Sequence, residues 1–409
     1  LPTLRASEGA NFDLCVVGGA GHVGLPLSIL FAVKGLRLLI YDINAQAMET
    51  IAAGRMPFLE RGAEPLLREA LDQGRLFFTT EAADVARATS ILIVIGTPVD
   101  EFLNPSLKPV MRCMDTLLPY LTDDQLIILR STVYPGLTDS IGKYLESKNK
   151  KTRLSFCPER TAQGFAMEEL QSLPQVVSGT TPEAEDAAAA LFAKIAPSIV
   201  RLSPIEAELA KLFSNAYRYI QMAVTNQFYL IASSAGVDYV RVLDGMKQDY
   251  PRMADIAGPG FTAGPCLFKD TMQLASFCKN QFSIGHAAML VNEGLPMFVV
   301  DSLAGKYRLE ELTVGLLGMA FKADSDDARS SLSYKVKKLL VFRAKDVLTT
   351  DPYITSDPAL LPLDDVISRS DILILCTPHE VYRDLTLQDK IVVDIWNFWG
   401  GRQARRAAA

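Results

Sequence analysis

The first half of the chain is built from short, continuously apolar runs set between helical patterns. Residues 13–18, 36–42, 76–80, 91–96, 126–132 and 154–157 are each of strand length and rich in Leu, Ile, Val and Phe. Apolar residues follow one another there without alternation, so both faces of each strand should be covered, as in a parallel sheet. Strands separated by helical patterns predict βαβ units. The pattern changes after Pro204. Residues 205–235 contain neither Gly nor Pro and repeat apolar residues at helical spacing, which predicts one long helix ending near Gly236. Helical segments continue to about Leu303. Runs 313–321, 347–351, 372–377 and 391–396 then restart the β/α alternation. The expected fold is α/β, with two parallel-sheet domains (1–203 and 305–409) joined by a central helical domain (204–304).

The first apolar run ends in Gly18-Gly19-Ala20-Gly21-His22-Val23-Gly24, and a helical pattern begins at Leu25. Gly19, Gly21 and Gly24 satisfy G-x-G-x-x-G between a strand and a helix, the context that makes the pattern a dinucleotide fingerprint. The first glycine is expected to make the tight turn. The second lets backbone approach a pyrophosphate, and the third lets helix and strand pack closely. The helix start adds unpaired N–H groups and partial positive charge for the phosphates. Ala20, His22 and Val23 fill the variable slots of the turn, with His22 read as exposed. Asp42 closes the second run, where a carboxylate would bond a ribose 2′-hydroxyl and repel a 2′-phosphate. NAD is therefore the expected cofactor, in preference to NADP.

Composition narrows the classes that remain. The 409 residues are 49% hydrophobic and 22% charged, with 41 basic against 47 acidic side chains, a formal charge of −6. This is the profile of a folded chain without the basic footprint of a nucleic-acid binder. Residues 284–303 are apolar on average, but Asn292, Glu293, Pro296 and Asp301 interrupt them, so no membrane partner is expected. The six cysteines never pair as C-x-x-C, and cytoplasmic localisation is expected. Cys15, Cys113, Cys157, Cys278 and Cys376 read as small buried hydrophobes. His22, His286 and His379 are the only histidines and lie at no ligand spacing, so no metal is expected.

Further motifs occur in one order: Gly96-Thr97-Pro98, Ser131-Thr132-Val133, Pro158-Glu159-Arg160, Lys211 with Asn215, Cys266 with Lys269-Asp270, and Phe321-Lys322 followed by Asp326-Asp327-Ala328-Arg329. Together they resemble the UDP-glucose/GDP-mannose dehydrogenase family, the nucleotide-sugar 6-dehydrogenases. The resemblance implies two Rossmann-like domains joined by a central helical domain with one long helix that commonly mediates dimerisation. It further implies oxidation of a sugar C6 alcohol to a carboxylate in two NAD-dependent steps, as in precursor synthesis for surface polysaccharide or glycoconjugate. A UDP-sugar and a second copy of the chain are the expected partners. Phe213, Tyr217, Ile220 and Val224, apolar at helical spacing, are the expected dimer stripe.

Two oxidations at one carbon need a way to hold the intermediate aldehyde, and a thiol can do so as a thiohemiacetal and then a thioester. Cys266 follows the glycine run 258–265, whose backbone can approach a ligand. By resemblance, Lys211 and Asn215, one turn apart, hold the reacting oxygen. Asp270 orients water or accepts a proton, while Lys269 reads as a surface charge. Glu159 serves acid–base steps or positions the hydrolytic water, and Thr132 assists near the nicotinamide. Thr97, Pro98 and Arg329 join the cofactor set. Arg160, Arg252, Gly258, Gly260, Phe261, Phe321 and Lys322 join Glu159, Lys211 and Asn215 in the substrate set.

Three positions depart from glucose-type members: Gln163 replaces a second glutamate, Thr262-Ala263 replaces paired glycines, and Trp396 replaces an arginine. The run 158–164 with Glu169-Leu170 and Leu173-Pro174 looks closer to the UDP-N-acetylhexosamine branch. UDP-glucose oxidation, a one-step 3-hydroxyacid dehydrogenase and a non-catalytic NAD-binding protein stay open as alternatives.

Overall fold

A computed structural model of the chain describes residues 11–100, 106–261, 264–387 and 389–400. It separates into two compact units, one ending at Phe213 and the other beginning at Ser214. The division falls inside a single helix, Pro204–Ser234.

The first unit holds a sheet of β1 (Phe12–Val17), β2 (Leu38–Tyr41), β3 (Leu76–Thr79), β4 (Ala88–Ile93), β5 (Leu126–Leu129), β6 (Arg153–Phe156), β7 (Gln175–Gly179) and β8 (Ile199–Arg201). Their order is β3-β2-β1-β4-β5-β6-β7-β8. All neighbours are parallel except β6 and β7. Successive residues feed opposite faces: Leu14, Val16, Leu38, Ile40 and Leu92 enter one core. Cys15, Val17, Leu39, Ile91 and Ile93 enter the other. Covering both faces is why these strands read as unbroken apolar runs. The strands β7 and β8 escape that signal. The antiparallel contact of β7 with β6 is short, and β8 is an edge strand with Val200 and Arg201 exposed.

The helix Pro204–Ser234 spans 31 residues, about 46 Å at the standard rise. Its proline stands in the first turn, where the missing N–H costs nothing. Glu208, buried, accepts backbone N–H bonds from Gly136 (2.6 Å) and Thr138 (2.9 Å) at the start of the helix Leu137–Ser147. Its carboxylate thereby caps a second helix and moors the long one to the first unit. Phe213 and Tyr217 are 54% and 63% exposed, Val224 is exposed and Ile220 half-buried.

The second unit packs the helices Tyr239–Lys247, Leu267–Phe277 and Ser283–Ala304 with a parallel sheet. Its strands are β9 (Thr313–Leu317), β10 (Asp346–Thr350), β11 (Ile372–Leu375) and β12 (Ile391–Val393), in the order β10-β9-β11-β12. Ser283–Ala304 is long and apolar enough by composition to cross a membrane. In the fold its Leu295, Val299 and Val300 join Val314, Leu316 and Ile374 in a core.

The cysteines divide differently from expectation. Cys15, Cys157 and Cys376 are buried and Cys113 is half-buried, but Cys278 is exposed because it lies just past the last turn of Leu267–Phe277. Burial pushes the Cys113 and Cys157 thiols up to about 11, which leaves them poorly ionised.

Replacing Glu208 with Ala should destabilise the protein by about 2–3 kcal/mol, because the buried Thr138 N–H and the half-buried Gly136 N–H lose a charged acceptor. Thermal melting measures this, and a loss below about 0.5 kcal/mol would show that the carboxylate does not moor the helix.

Candidate active site

The strand order of the first sheet reverses between β1 and β4, and the crevice beyond their carboxyl ends is where α/β sheets hold ligands. The glycine turn enters there. Gly18, at φ +77°, makes the left-handed turn, one residue earlier than the G-x-G-x-x-G reading places it. A Cβ on Gly24 would lie 2.7 Å from the Gly18 carbonyl oxygen, so only glycine lets the helix start this close to the strand. At Gly21 the nearest atom to an added Cβ is 3.5 Å away, which leaves that backbone open. Asp42 accepts the Ala20 N–H at 3.0 Å and the Asn44 N–H at 2.9 Å, tying the turn to the end of β2. Beside it lies a cavity of about 310 Å³ lined by Gly18, Tyr41, Asp42, Ile95 and Arg112, among others. A glycine cradle, an acid at the second strand and an apolar pocket together fit an adenine dinucleotide.

Around this turn the remaining cofactor candidates separate. Thr97 donates from Oγ1 to the Thr132 carbonyl at 2.7 Å, and Ile95 N–H donates to Ser131 Oγ at 2.9 Å. These bonds stitch together the loops after β4 and β5. Pro98 is exposed, while Ala20 is buried and Val23 half-buried. His22 corrects the expectation of an exposed slot. Its ring stacks on Phe58 with centroids 4.0 Å apart, and its Nδ1 lies 3.1 Å from Gln163 Nε2.

Glu159 follows β6 and is enclosed by donors. Arg130 reaches its Oε2 through Nη2 (2.7 Å) and Nε (3.2 Å). The N–H groups of Arg160 and Thr161 reach Oε1 at 2.7 and 2.8 Å. Burial alone would raise the Glu159 pKa, but the Arg130 charge and the Thr161 N–H bond outweigh it and hold the carboxyl below its usual range. The Arg160 side chain donates to the Pro174 carbonyl.

In the second unit Cys266 is exposed and immediately precedes the helix Leu267–Phe277. The positive end of that helix dipole favours negative charge beside it. One turn on, Asp270 is buried and accepts from Asn215 Nδ2 at 2.6 Å. Its other oxygen lies 3.1 Å from Lys269 Nζ. Lys269 is therefore not a surface charge: its side chain is only 14% exposed. Lys211 is half-buried on the long helix, one turn before Asn215.

The glycine run is gripped from several sides. Asn226 Oδ1 accepts the Gly260 N–H at 2.9 Å, and its Nδ2 donates to the Gly260 carbonyl at 3.1 Å and to Asn292 Oδ1 at 2.9 Å. Asn292 Nδ2 donates in turn to the Tyr219 carbonyl at 3.2 Å. A carbonyl can only accept, so this last bond sets which way both amides point. The Trp396 ring fills the place of a Gly260 Cβ, which would lie 2.2 Å from it. Gly264, at φ +112°, packs against Phe321 in the same manner. Phe261 is buried, Gly258 exposed, and Thr262 and Ala263 lie outside the described residues. Asn226 and Asn292 were not among the sequence candidates; their only signal is an amide inside an apolar helical pattern.

Lys322 is half-buried in the loop after β9, and Arg252 is exposed on the short turn Pro251–Met253. Arg329 makes a two-pronged pair with Asp327, closest contact 2.6 Å. That bond chiefly raises its pKa, and the Cys266 thiol adds to the rise.

Residues 13–196 match the NAD binding domain of the UDP-glucose/GDP-mannose dehydrogenase family, residues 205–294 its central domain and residues 315–401 its UDP binding domain. The chain is 28% identical to an NDP-N-acetyl-D-galactosaminuronic acid dehydrogenase from Ralstonia nicotianae, over 98% of each chain. The solved structure of a UDP-D-ManNAc dehydrogenase from Pyrococcus horikoshii is similar with a TM-score of 0.88 at 26% identity, covering 96% of this chain and 97% of that one. A UDP-glucose dehydrogenase from Pyrobaculum islandicum gives a TM-score of 0.89 at 27% identity, covering 99% of each chain.

Two outcomes follow from this geometry. Asp42→Ala should weaken NAD binding by about 1–2 kcal/mol and narrow the preference over NADP, since both the ribose bond and the repulsion are lost. Fluorescence titration with each cofactor reads it, and an unchanged preference would count against Asp42. Asn226→Asp replaces a buried donor to the Gly260 carbonyl and Asn292 Oδ1 with an acceptor. It should cost about 2–4 kcal/mol and alter the labelling rate of Cys266, measured by melting and by alkylation in a Cys278→Ser background.

Proposed function

The chain belongs to the UDP-glucose/GDP-mannose dehydrogenase family and is an NAD-dependent nucleotide-sugar dehydrogenase; from that premise we propose that it oxidises the C6 alcohol of a UDP-N-acetylhexosamine to the uronate. The observation that carries the proposal is the thiol centre: an exposed Cys266 at a helix start, with Asp270 one turn on, bonded to Asn215 and paired with Lys269. A single oxidation of an alcohol needs no such thiol.

Bound NAD, held by the turn 18–24 and Asp42, supplies the hydride acceptor for both oxidations. Lys211 and Asn215 orient the C6 oxygen, and the Lys211 ammonium stabilises the negative charge that develops as the alcohol loses its proton. The Cys266 sulfur bonds to the aldehyde carbon, giving a thiohemiacetal that cannot escape. Hydride loss from that carbon, with loss of the hydroxyl proton, leaves a thioester. Water then adds to the acyl carbon and the C–S bond breaks, releasing a carboxylate and regenerating the thiol. The balance is one alcohol, one water and two NAD consumed, and one carboxylate, two NADH and three protons formed.

The N-acetylated sugar is supported by the N-acetylhexosamine names of the Ralstonia and Pyrococcus relatives. It is also supported by the resemblance of the run 158–164, where Gln163 stands in place of the second glutamate of glucose-type members. The division 1–203, 204–304 and 305–409 assigns cofactor binding, dimerisation and UDP binding in that order. The exposed stripe of Phe213, Tyr217 and Val224 supports a homodimer, and the cysteine pattern is the ground for placing it in the cytoplasm.

NADH formation across UDP-glucose, UDP-N-acetylglucosamine, UDP-N-acetylmannosamine, UDP-N-acetylgalactosamine and GDP-mannose tests the substrate. An N-acetylated UDP-sugar should give the highest kcat/KM, with two NADH per sugar. One NADH per substrate would leave a single-step dehydrogenase, and a UDP-glucose optimum would replace the sugar. Cys266→Ser should lose two-NADH turnover, because a serine hydroxyl is a much poorer nucleophile near neutral pH. Lys211→Ala should slow the first hydride transfer by about 10²–10³-fold. Pre-steady-state NADH absorbance distinguishes the two, and wild-type turnover by Cys266→Ser would exclude covalent catalysis there.

A further inference from the structure

His379 stands in the loop after β11 and is completely buried. Its ring packs against the rings of Tyr353 and Tyr382, with centroids 5.1 and 5.5 Å away. Two carboxylates face it: Asp351 Oδ2 lies 3.0 Å from Nε2, and Asp324 Oδ1 lies 4.0 Å from Nδ1. The Asp324 backbone N–H donates to Nδ1 at 2.9 Å. A ring nitrogen that accepts an N–H carries a bare lone pair, so the proton of the neutral ring is on Nε2 and is donated to Asp351. A second proton, on Nδ1, would have to displace the Asp324 N–H.

That N–H belongs to the loop between β9 and the helix Leu332–Val341. The start of the loop is closed to a ligand. A Cβ on Gly318 would lie 2.6 Å from both the Cβ and the carbonyl oxygen of Thr377, and Thr377 Oγ1 donates to the Ala320 carbonyl at 2.6 Å. The Met319 and Ala320 N–H groups go to Asp351. Recognition of an anionic ligand therefore falls to side chains further along, where Lys322 is half-buried. Two residues on, Asp324 sits at φ +51°, a conformation that costs a non-glycine residue free energy unless contacts hold it. His379 and its neighbour supply them: the ring takes the Asp324 N–H, and the Glu380 N–H donates to Asp324 Oδ1 at 3.0 Å. All of these residues lie in the second unit.

We propose that His379 is a positioning residue for UDP-sugar binding: with its proton on Nε2, the ring clamps Asp324 and so sets where Lys322 meets the ligand. The inference rests on the UDP binding domain at 315–401 and on Lys322 as a substrate contact. The resemblance gave His379 no part in the site. Imidazole suits the task because one rigid ring accepts at one nitrogen and donates at the other. A loop ordered before the ligand arrives also lowers the entropic cost of binding.

Calorimetric titration of the full chain with UDP tests the role. His379→Gln keeps a donor at the place of Nε2 but loses the acceptor at the place of Nδ1. It should weaken UDP by about 10-fold or more, because the loop must then be ordered on binding. His379→Asn keeps the acceptor and loses the donor to Asp351. It should stay within about threefold of wild type in UDP affinity, yet melt lower than His379→Gln because a buried carboxylate loses a partner. A role in folding alone would give the opposite order, with affinity following melting temperature. Adding Lys322→Ala to His379→Gln should weaken UDP no further than the worse single variant, since His379 acts through Lys322. Unchanged affinity in His379→Gln, a larger loss in His379→Asn, or additive losses in the double variant would overturn the proposal. Absence of UDP binding by the wild-type protein would instead bring down the reading of the site itself.

A second measurement uses the wild-type protein without ligand. The chain has three histidines, His22, His286 and His379, so their ring signals are few enough to separate. In protein labelled with ¹⁵N-histidine, near neutral pH, His379 should show a bare Nδ1 and a protonated Nε2, its signals being those absent from His379→Asn. A proton on Nδ1, with or without one on Nε2, would overturn the proposal, because the Asp324 N–H would then have no acceptor in the ring.

Discussion

Every loop that leaves the carboxyl edge of a parallel sheet carries backbone N–H and C=O groups that no strand can pair. Where such a loop is buried, those groups need other partners. In this protein buried and half-buried side chains meet the requirement one loop at a time. Asp42 takes the Ala20 N–H, Ser131 the Ile95 N–H, Arg130 the Cys157 and Pro158 carbonyls, and Glu60 two N–H groups of the turn after Gly164. In the second unit Asn226 takes both backbone groups of Gly260. The loops that carry the chemistry are held in place by these few polar anchors, each of which would be costly to bury unpaired.

The two units use the same device to different ends. In the first, Gly18 N–H bonds the Tyr41 carbonyl (2.9 Å) and the acid that ends β2 reaches back to the turn. In the second, Gly318 N–H bonds the Thr350 carbonyl (3.0 Å), and Asp351 at the end of β10 accepts the N–H groups of Met319 and Ala320. Asp42 remains half-exposed beside a cavity. The Asp351 side chain is buried, with His379 Nε2 3.0 Å from it, while His379 Nδ1 accepts the Asp324 N–H. Burial raises the Asp351 pKa, but its bonds to His379 and to backbone N–H groups more than offset this and hold it low. A carboxylate closed off in this way cannot take a ribose, so the second sheet repeats the architecture of the first without repeating its dinucleotide chemistry.

Two of the departures from glucose-type members, Trp396 and Gln163, fall where they alter loops and leave the reacting groups alone. Trp396 packs its ring on Gly260 and donates from Nε1 to the Cys376 carbonyl at 3.3 Å. A flat apolar group there grips the run that leads to the thiol, where an arginine would have brought charge. Gln163 Nε2 can donate to His22 Nδ1 when the ring is neutral, and a charged ring would need the amide turned to present Oε1. The thiol, Asp270, Asn215 and Lys211 are untouched by these changes, which is why reaction class is easier to read than substrate.

How much was legible in the sequence follows the range of the forces involved. Unbroken apolar runs exposed the doubly covered strands, and the absence of Gly and Pro marked the long helix to within a residue, because hydrophobic periodicity and backbone propensity act over a few neighbours. The glycine turn and Asp42 were legible because their spacing is set by one strand–turn–helix unit. Hydrogen bonds between residues far apart in the chain were not. The Arg130–Glu159 pair spans 29 positions and the Asn226–Asn292 pair 66, and no local pattern marks either. His22 and Lys269 read as exposed because a single polar residue looks the same in sequence on a wet surface or against a buried partner. The sequence by itself determined the doubly covered strands, the long helix and the cofactor turn, and it nominated a thiol. Only the tertiary structure decided which polar side chains are spent holding loops and which remain free to react, because that depends on partners that folding alone brings within 3 Å.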